Sequence, residues 1–392
     1  MTPKASPASV TSSRRRRTHH KSRKGCKECK KRHIKCDEGW PQCANCISSQ
    51  RCCSFQDSPD HRAGAASPAV DVRTTGTFDF SLPEAGTTGL RFAATHLICL
   101  HHAETHMKTY MALNGPAQPI IDLAVDNVAG APFLLDQILA LSALHLSVQD
   151  TSAMKKAYYH QQATELQTRA LELFNQAREG EDSDDSTIPV FVFASLLGIH
   201  VLRETLSSLR EDLSAFVDSF IHYVHLHRGV RTVISNGTWP AILQSDLKPL
   251  LCLPTMSDDL EKQTQGEETR KLNDFLSEYN SAQDSIKACQ NALEHAQWML
   301  DLCNQNPSRE DVGIHATMAW PLLVPQEYID ALHQHRPEAF AVFAFYAAAL
   351  HRYRTYWVFG ESGSSLLSAI LNTIGSFWRD NIGASIETMV IG

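Results

Sequence analysis

The sequence predicts a mainly α protein in two parts: a small cysteine-rich, metal-held domain near the N-terminus and a large all-α domain behind it. Three observations predict this. Seven cysteines crowd between Cys26 and Cys53, six of them in a regular spacing. Basic charge is concentrated around them and acidic charge in the remainder. From about residue 91 onward apolar residues recur at helical spacing, and alternating β-branched runs are scarce. About 300 residues of that kind are enough for one domain with a substantial core.

The cysteines read Cys26-x2-Cys29-x6-Cys36-x6-Cys43-x2-Cys46-x6-Cys53, with Lys30-Lys31-Arg32-His33-Ile34-Lys35 between the second and third. Two Cys-x-x-Cys pairs suit zinc, whose tetrahedral shell takes soft thiolates. A segment this short buries too little apolar surface to fold alone, so the metal must supply the folding free energy, on the order of 10 kcal/mol or more. A disulfide framework would need a secreted context. Met1 to Lys24 has no apolar stretch of the signal-peptide type and turns strongly basic. Nor does any run reach the ~18 apolar residues of a membrane span. The longest, Ile188 to Leu202, is interrupted by Ser195, Gly198 and His200 and reads as a buried helix. The chain is therefore expected to be intracellular and its clustered thiols reduced. One tetrahedral zinc uses four ligands and two separate zincs need eight. Six cysteines close around two zincs when two thiolates bridge both metals. Cys52, adjacent to Cys53, is the rival sixth ligand.

From Arg14 to Lys35 there are twelve Lys and Arg against one acid, Glu28. The whole chain has 36 Lys+Arg and 43 Asp+Glu, so the remainder holds 24 basic and 42 acidic residues, a net of −18 hidden beneath an overall −7. A segment of +11 on such a body is an electrostatic footprint for a polyanion. Arg14 to Arg17 fits a solvated tail or a nuclear import signal. Lys27 to Lys35 fits that poorly, because metal ligands on either side hold those residues in fixed geometry.

The cysteine block resembles that of the fungal zinc-cluster (Zn2Cys6) transcription factors. Lys35-Cys36-Asp37-Glu38, Pro41 two residues before Cys43, and the ending Cys53-Ser54-Phe55 are further matches. The resemblance implies Cys26, Cys29, Cys36, Cys43, Cys46 and Cys53 as ligands of two zinc ions, with Cys26 and Cys43 bridging; the family spacing favours Cys53 over Cys52. It also implies that a short helix after the second cysteine points its end into the major groove of duplex DNA, usually at a CGG-type triplet. Arg32 and His33 would read bases, and Lys30 and Lys35 would face phosphates. His33 departs from the Lys or Arg of many members, and a neutral imidazole reads guanine more weakly. A similar basic run ending in Lys-Cys-Asp-Glu occurs near the sterol uptake control proteins.

Residues 1–22 read as a disordered basic tail, 23–55 as the cluster domain, 56–90 as a flexible linker rich in Pro, Gly and small polar residues, and 91–392 as the helical domain. No Leu/Ile heptad follows the cluster. Phe78, Phe80 and Leu82 read either as a small activation motif or as residues that tuck against the helical domain, the second being favoured because acids are few there. Within that domain, helices are expected over Phe133–Val148, 153–177, Phe191–Leu202, 268–304 and 337–358, with no internal repeat of fixed period. Ala131-Pro132-Phe133-Leu134-Leu135, Leu139 to Leu146, and Arg336-Pro337-Glu338-Ala339 with Tyr346 to His351 and Tyr356-Trp357 resemble the regulatory region of the sterol-uptake-control type. That implies a domain that senses a hydrophobic ligand.

An enzyme is the sharp alternative. Glu181-Asp182-Ser183-Asp184-Asp185 resembles the first magnesium motif of terpene cyclases, and Asn273-Asp274-x-x-Ser277 begins their second. Ser281 then stands where an acidic ligand is required. His102 and His106, and the group His222, His225 and His227, lack Cys or carboxylate partners at ligand offsets and read as core or surface histidines. Gly360-Glu361-Ser362-Gly363 reads as a loop, and Cys99, Cys252, Cys289 and Cys303 as buried small hydrophobes. The reading is a nuclear, sequence-specific, non-enzymatic regulator of RNA polymerase II genes, pathway-specific in sterol or secondary metabolism. Its partners would be double-stranded DNA, a second copy in a homodimer, and a hydrophobic small molecule. The alternative is a zinc-dependent nucleic-acid or protein adaptor.

Overall fold

The computed structural model describes residues 25–38, 42–49, 51–55, 93–179, 187–209, 212–231, 238–250, 265–279 and 283–391. They fall into two compact units, one within Met1–Gly76 and the other within Thr77–Gly392. The expected tail, the linker with Phe78, Phe80 and Leu82, Arg14 to Arg17, Pro41, the acidic run 181–185, and Cys252 lie outside the described residues. No strand occurs among the described residues.

The first unit contains two short helices, α1 (Lys27–Lys31) and α2 (Ala44–Ser48), around six buried cysteines. Besides those cysteines, the hydrophobic residues that pack against the cluster are, among the described residues, Ile34 and Phe55, both half-buried. That is too little apolar surface to hold a fold without another source of free energy.

The second unit is a helical assembly: α3 (Ala94–Tyr110), α4 (Gln118–Asp126), α5 (Pro132–Gln149), α6 (Ala153–Glu179), α7 (Thr187–Ser207), α8 (Leu213–Arg231), α9 (Thr238–Gln244), a 3-10 turn (Lys248–Leu250), α10 (Arg270–Glu278), α11 (Gln283–Gln305), α12 (Glu310–Leu323), α13 (Gln326–His333), α14 (Pro337–Arg352), α15 (Ser362–Thr373) and α16 (Gly375–Ile391). Two mainly apolar helices buried on nearly every side lie at its centre, since a helix without an exposed polar face is stable only when surrounded. In α14 every residue from Glu338 to Leu350 is buried, and α11, α12, α13, α15 and α16 pack around it. Around α5 pack α3, α4, α6 and α7. Both begin with proline, whose fixed φ suits the first helical turn. One continuous core joins them, with Trp320 of α12 stacked on Tyr346 of α14 at 4.9 Å. Gly363 lets α15 start against α14: a Cβ there would lie 2.2 Å from the His351 backbone nitrogen.

Polar groups taken into this core are mostly paired, as burial demands. The fully buried Asp136 of α5 accepts both Nε and a terminal nitrogen of Arg169 of α6 at 2.6 Å. His102 of α3 and His145 of α5 hydrogen-bond through Nε2 and Nδ1 at 2.8 Å. Arg228 of α8 donates to the carbonyls of Pro321, at 2.9 Å, and Val324, where α12 ends.

The structure corrects several sequence expectations. The single helix expected over 268–304 is two, α10 and α11, because Tyr279 turns extended (φ −75°, ψ 122°) and packs its ring on Trp378 of α16 at 5.0 Å. The helix expected over 337–358 stops at Arg352. Beyond it Tyr356 Oη and Trp357 Nε1 both donate to the carbonyl of Tyr110, at 3.0 and 2.6 Å, where the last turn of α3 leaves acceptors free. Ser362 and Gly363, read as loop, open α15. One segment, Ile188–Ser207, is long and apolar enough to cross a membrane by composition; 67% of that window is buried inside the helical unit, the pattern of a core helix.

Candidate metal centre and nucleic-acid face

Each half of the cluster is built the same way. Cys26 is the N-cap of α1 and Cys29 its third residue; Cys43 is the N-cap of α2 and Cys46 its third residue. Side chains at the N-cap and third helical positions converge, as in a capping box, so the x2 spacing brings two sulfurs together. Cys26 Sγ accepts the Cys29 N–H at 3.3 Å. Both helices then close by the same six-residue bond, Ile34 N–H to Cys29 O at 3.2 Å and Arg51 N–H to Cys46 O at 3.0 Å. The two halves therefore repeat with a 17-residue offset, the separation of Cys26 from Cys43. The sequence reading missed this repeat, although the cysteine spacings alone contain it.

The sulfurs have the spacing a zinc cluster needs. Cys26 Sγ lies 3.7 Å from both Cys43 and Cys46, and Cys29 Sγ lies 3.6 Å from Cys43. Zn–S bonds of about 2.3 Å in a tetrahedron place sulfurs about 3.8 Å apart. The thiols of Cys26, Cys29, Cys43 and Cys46 all lie within 4.8 Å of one another. Cys26 and Cys43 have close sulfur neighbours in the opposite half, as a bridging pair requires. The donor set thus fits two zinc ions.

Burial pushes the Cys29 thiol up to about 12, with the Cys26 sulfur adding to it, and raises Cys43 and Cys46 too. Desolvation acts on Cys36 and Cys53 as well, but hydrogen bonds together outweigh it and hold both thiols below the ordinary range: backbone N–H groups of Cys26 and Glu38 at Cys36, and of Cys43 and Phe55 at Cys53, with the Cys26 and Cys43 thiols adding at each. Without metal, the raised group stays protonated at neutral pH. Zinc must displace those protons, so its affinity falls as pH falls.

Cys53 is 1% exposed and sits with the other five sulfurs, whereas Cys52 points to solvent. Cys52→Ser should keep the zinc content of the parent chain and Cys53→Ser should lower it, as counted by native mass spectrometry. The reverse result would reassign the sixth ligand to Cys52.

The basic run lies on α1 and the turn after it. Lys30, Arg32, His33 and Lys35 are all exposed, and among the described residues the side chains of Lys30, Lys31 and Lys35 form no ion pair or hydrogen bond. The one acid, Glu28, is paired with Arg51 of the other half at 3.2 Å. Arg32 caps the C-terminus of α1, and its guanidinium donates to Ser49 Oγ at 2.9 Å. His33 follows with φ 54°, closing the helix with its N–H on Lys30 O at 3.2 Å. A left-handed residue flanked by these two bonds is the usual helix stop, ordinarily glycine. His33→Gly should therefore stabilise the turn by about 1 kcal/mol and make zinc loss to a chelator no faster than in the parent chain; faster loss would contradict this account of the turn. Asp37 Oδ2 accepts the Ala44 N–H at 3.1 Å and so caps α2.

The other candidates named from the sequence are structural in their surroundings. His102 is buried against His145, stacked on His106 at 4.6 Å and near Tyr110. Burial, reinforced by neighbouring histidines, lowers His102 to about 4 and His145 to about 3, so both are neutral at pH 7. His145 was not singled out, because only the packing of α3 on α5 brings it there. His227 meets Tyr223 Oη at 3.2 Å and His225 meets Gln326, so that group does not converge. Asn273 and Ser277 take hydrogen bonds from Gln290, at 3.4 and 3.0 Å, on the surface of α10. Cys99, Cys289 and Cys303 are buried. An open cleft of about 600 Å³ lies between the end of α3, the start of α12 and Thr355–Tyr356, lined by Lys108, Arg309, Glu310 and Asp311 as well as Leu113 and Ile314.

Comparison with known proteins agrees with the geometry of the cluster. Residues 24–62 match the family model of the fungal Zn(2)-Cys(6) binuclear cluster domain. The chain is 24% identical to a Zn(2)-C6 fungal-type transcription factor of Gibberella zeae, over 87% of this chain and 80% of that protein. It is 25% identical to the Zn(2)-C6 fungal-type transcription factor afumD of Aspergillus fumigatus, over 87% of each. It is 41% identical to Sterol uptake control protein 2 of Saccharomyces cerevisiae, over 17% of this chain and 7% of that protein. The chain carries a fungal-type Zn(2)-Cys(6) binuclear zinc-cluster domain, joined to a large helical unit.

Proposed function

We propose that this chain is a nuclear, sequence-specific DNA-binding regulator of transcription, in which Cys26, Cys29, Cys36, Cys43, Cys46 and Cys53 hold two zinc ions and α1 enters the major groove. The observation that carries this reading is an exposed basic helix end whose backbone is held between buried sulfurs, with Lys30, Lys31 and Lys35 free of ion pairs among the described residues. Fixing the helix to the cluster lets a short basic segment keep one orientation on the duplex. Phosphate contacts set the register, and base contacts give the specificity. A helix C-terminus bears partial negative charge; here its carbonyls are covered by the His33 and Ile34 N–H groups, and Lys30, Lys31 and Arg32 offset the dipole. In this reading Arg32 and His33 are the base readers, and Lys30 and Lys35 the phosphate contacts.

Arg32→Ala should lower discrimination at one base pair by about 1–3 kcal/mol. Lys30→Ala should weaken all sequences alike and reduce the slope of log affinity against log salt by about one unit. Titrations of the full chain against its selected duplex and single-base variants at several salt concentrations measure both, and identical behaviour of the two variants would overturn the division of roles. Binding without any base preference would favour the adaptor reading.

We further propose regulation of one pathway, in sterol or secondary metabolism. The similarity of the cluster region to a protein named for sterol uptake control supports this. In the same reading the helical unit pairs with a second copy and takes a hydrophobic ligand. The cleft beside α3 has charged walls, so a wholly apolar ligand would need a different, enclosed site.

A further inference from the structure

Arg32 and Ser49 are equivalent positions in the two halves of the cluster. They are the C-caps of α1 and α2 and stand 17 residues apart, the same offset as Cys26 and Cys43. The local pseudo-dyad that brings those two sulfurs together brings these two side chains together as well. The halves differ in what they place there: a guanidinium in one, a short hydroxyl in the other.

The direction of the bonds matters. A serine hydroxyl has one hydrogen and two lone pairs. Ser49 donates its hydrogen to the Asn45 carbonyl, one turn earlier in α2, so its lone pairs face Arg32, whose terminal nitrogen donates to them at 2.9 Å. Asn45 is fixed in turn, its side-chain nitrogen donating to the Lys35 carbonyl at 2.8 Å. A chain of three hydrogen bonds thus runs from the backbone of the first half, through α2, to the tip of Arg32. It engages one terminal nitrogen of the guanidinium and, among the described residues, leaves the edge formed by Nε and the other terminal nitrogen without a partner, which is a complete fork for bidentate recognition. Lys30, Lys31 and Lys35 have no such restraint.

We infer that Ser49 is a specificity-determining positioning residue: it holds the Arg32 fork in the orientation that reads a base, although Ser49 itself lies on the helix that does not enter the groove. This rests on the proposed reading of Arg32 as a base contact. A long side chain held before binding loses less freedom on the duplex, and the gain applies to the correct base only, because a wrong base cannot use the fixed fork.

The test compares the full-length, zinc-loaded chain with Ser49→Ala, Ser49→Thr, Arg32→Ala and the Ser49→Ala/Arg32→Ala double variant. Each is titrated against the selected duplex and against every single-base variant of it. Ser49→Ala should reduce discrimination at the base pair that Arg32→Ala affects, by about three- to tenfold, the scale of ordering one long side chain. Zinc content and salt slope should not change. Ser49→Thr, which keeps the hydroxyl, should retain the discrimination, and the double variant should lose no more than Arg32→Ala alone. The inference is overturned if Arg32→Ala loses discrimination while Ser49→Ala keeps it. It is also overturned if Ser49→Ala loses zinc or weakens every sequence equally, which would mark a structural role. If Arg32→Ala itself leaves every base preference intact, the base-contact reading fails and the positioning role falls with it.

Discussion

Cys29→Ala should lose zinc and abolish specific DNA binding, while the helical unit keeps its fold. Cys29 is fully buried, its sulfur is 3.6 Å from Cys43, and its backbone carbonyl accepts the Ile34 N–H that ends α1. Removing one thiolate from a shared six-sulfur cluster leaves one metal under-coordinated. Ile34 and Phe55 cannot replace the on the order of 10 kcal/mol that metal binding contributes to folds of this size. The basic helix would then lose its fixed orientation. What should remain is weak, salt-dependent attraction to any polyanion, because the Lys and Arg residues are unchanged. Native mass spectrometry, binding titrations and circular dichroism of the full chain separate these effects. Retained zinc and retained sequence preference would show that Cys29 is not a ligand.

Arg169→Met should be the most damaging single change in the helical unit outside its aromatic core. Asp136 is 1% exposed and holds both hydrogen-bonding faces of its carboxylate on Arg169. Methionine keeps most of the side-chain volume but leaves a buried carboxylate without its partner, a loss of about 3–5 kcal/mol. Whole domains are stable by only about 5–15 kcal/mol, so urea unfolding followed by helical circular dichroism should move far to lower denaturant. Replacing both members, Asp136→Leu with Arg169→Met, should recover most of the loss, since no charge is then stranded. His96 supplies a local reporter. Burial lowers its pKa, and the Arg169 charge lowers it further. In Arg169→Met it should titrate nearer its ordinary value. An unchanged unfolding midpoint would mean the ion pair is not what fastens α6 to α5.

The sequence carried the metal centre almost completely and the helical unit only in outline, for physical reasons. Zinc ligation imposes short, fixed spacings, so Cys26 to Cys53 could be read as a cluster without any knowledge of the fold. Helical periodicity likewise located α5, α6 and α7, whose buried faces repeat over many turns. Breaks between helices depend on single residues whose conformation tertiary contacts decide. Tyr279 turns extended where its ring meets Trp378, and the end of α14 at Arg352 is coupled to a carbonyl on α3. No local pattern reports either. The His102–His145 pair was hidden for the same reason, since it joins helices that only folding brings together, whereas the Arg32–Ser49 bond leaves a trace in the cysteine spacing. Ser49 is the instructive case, because the 17-residue repeat of the cysteines already places it opposite Arg32.

A zinc-held basic helix that reads DNA sequence is the property on which the proposed function depends. The most direct measurement is selection from a pool of randomised duplexes by the full-length chain, zinc-loaded and after chelation. The expected result is enrichment of one defined motif with zinc bound and loss of that enrichment when the metal is removed. An unenriched pool from the zinc-loaded chain, or the same motif recovered after chelation, would contradict it.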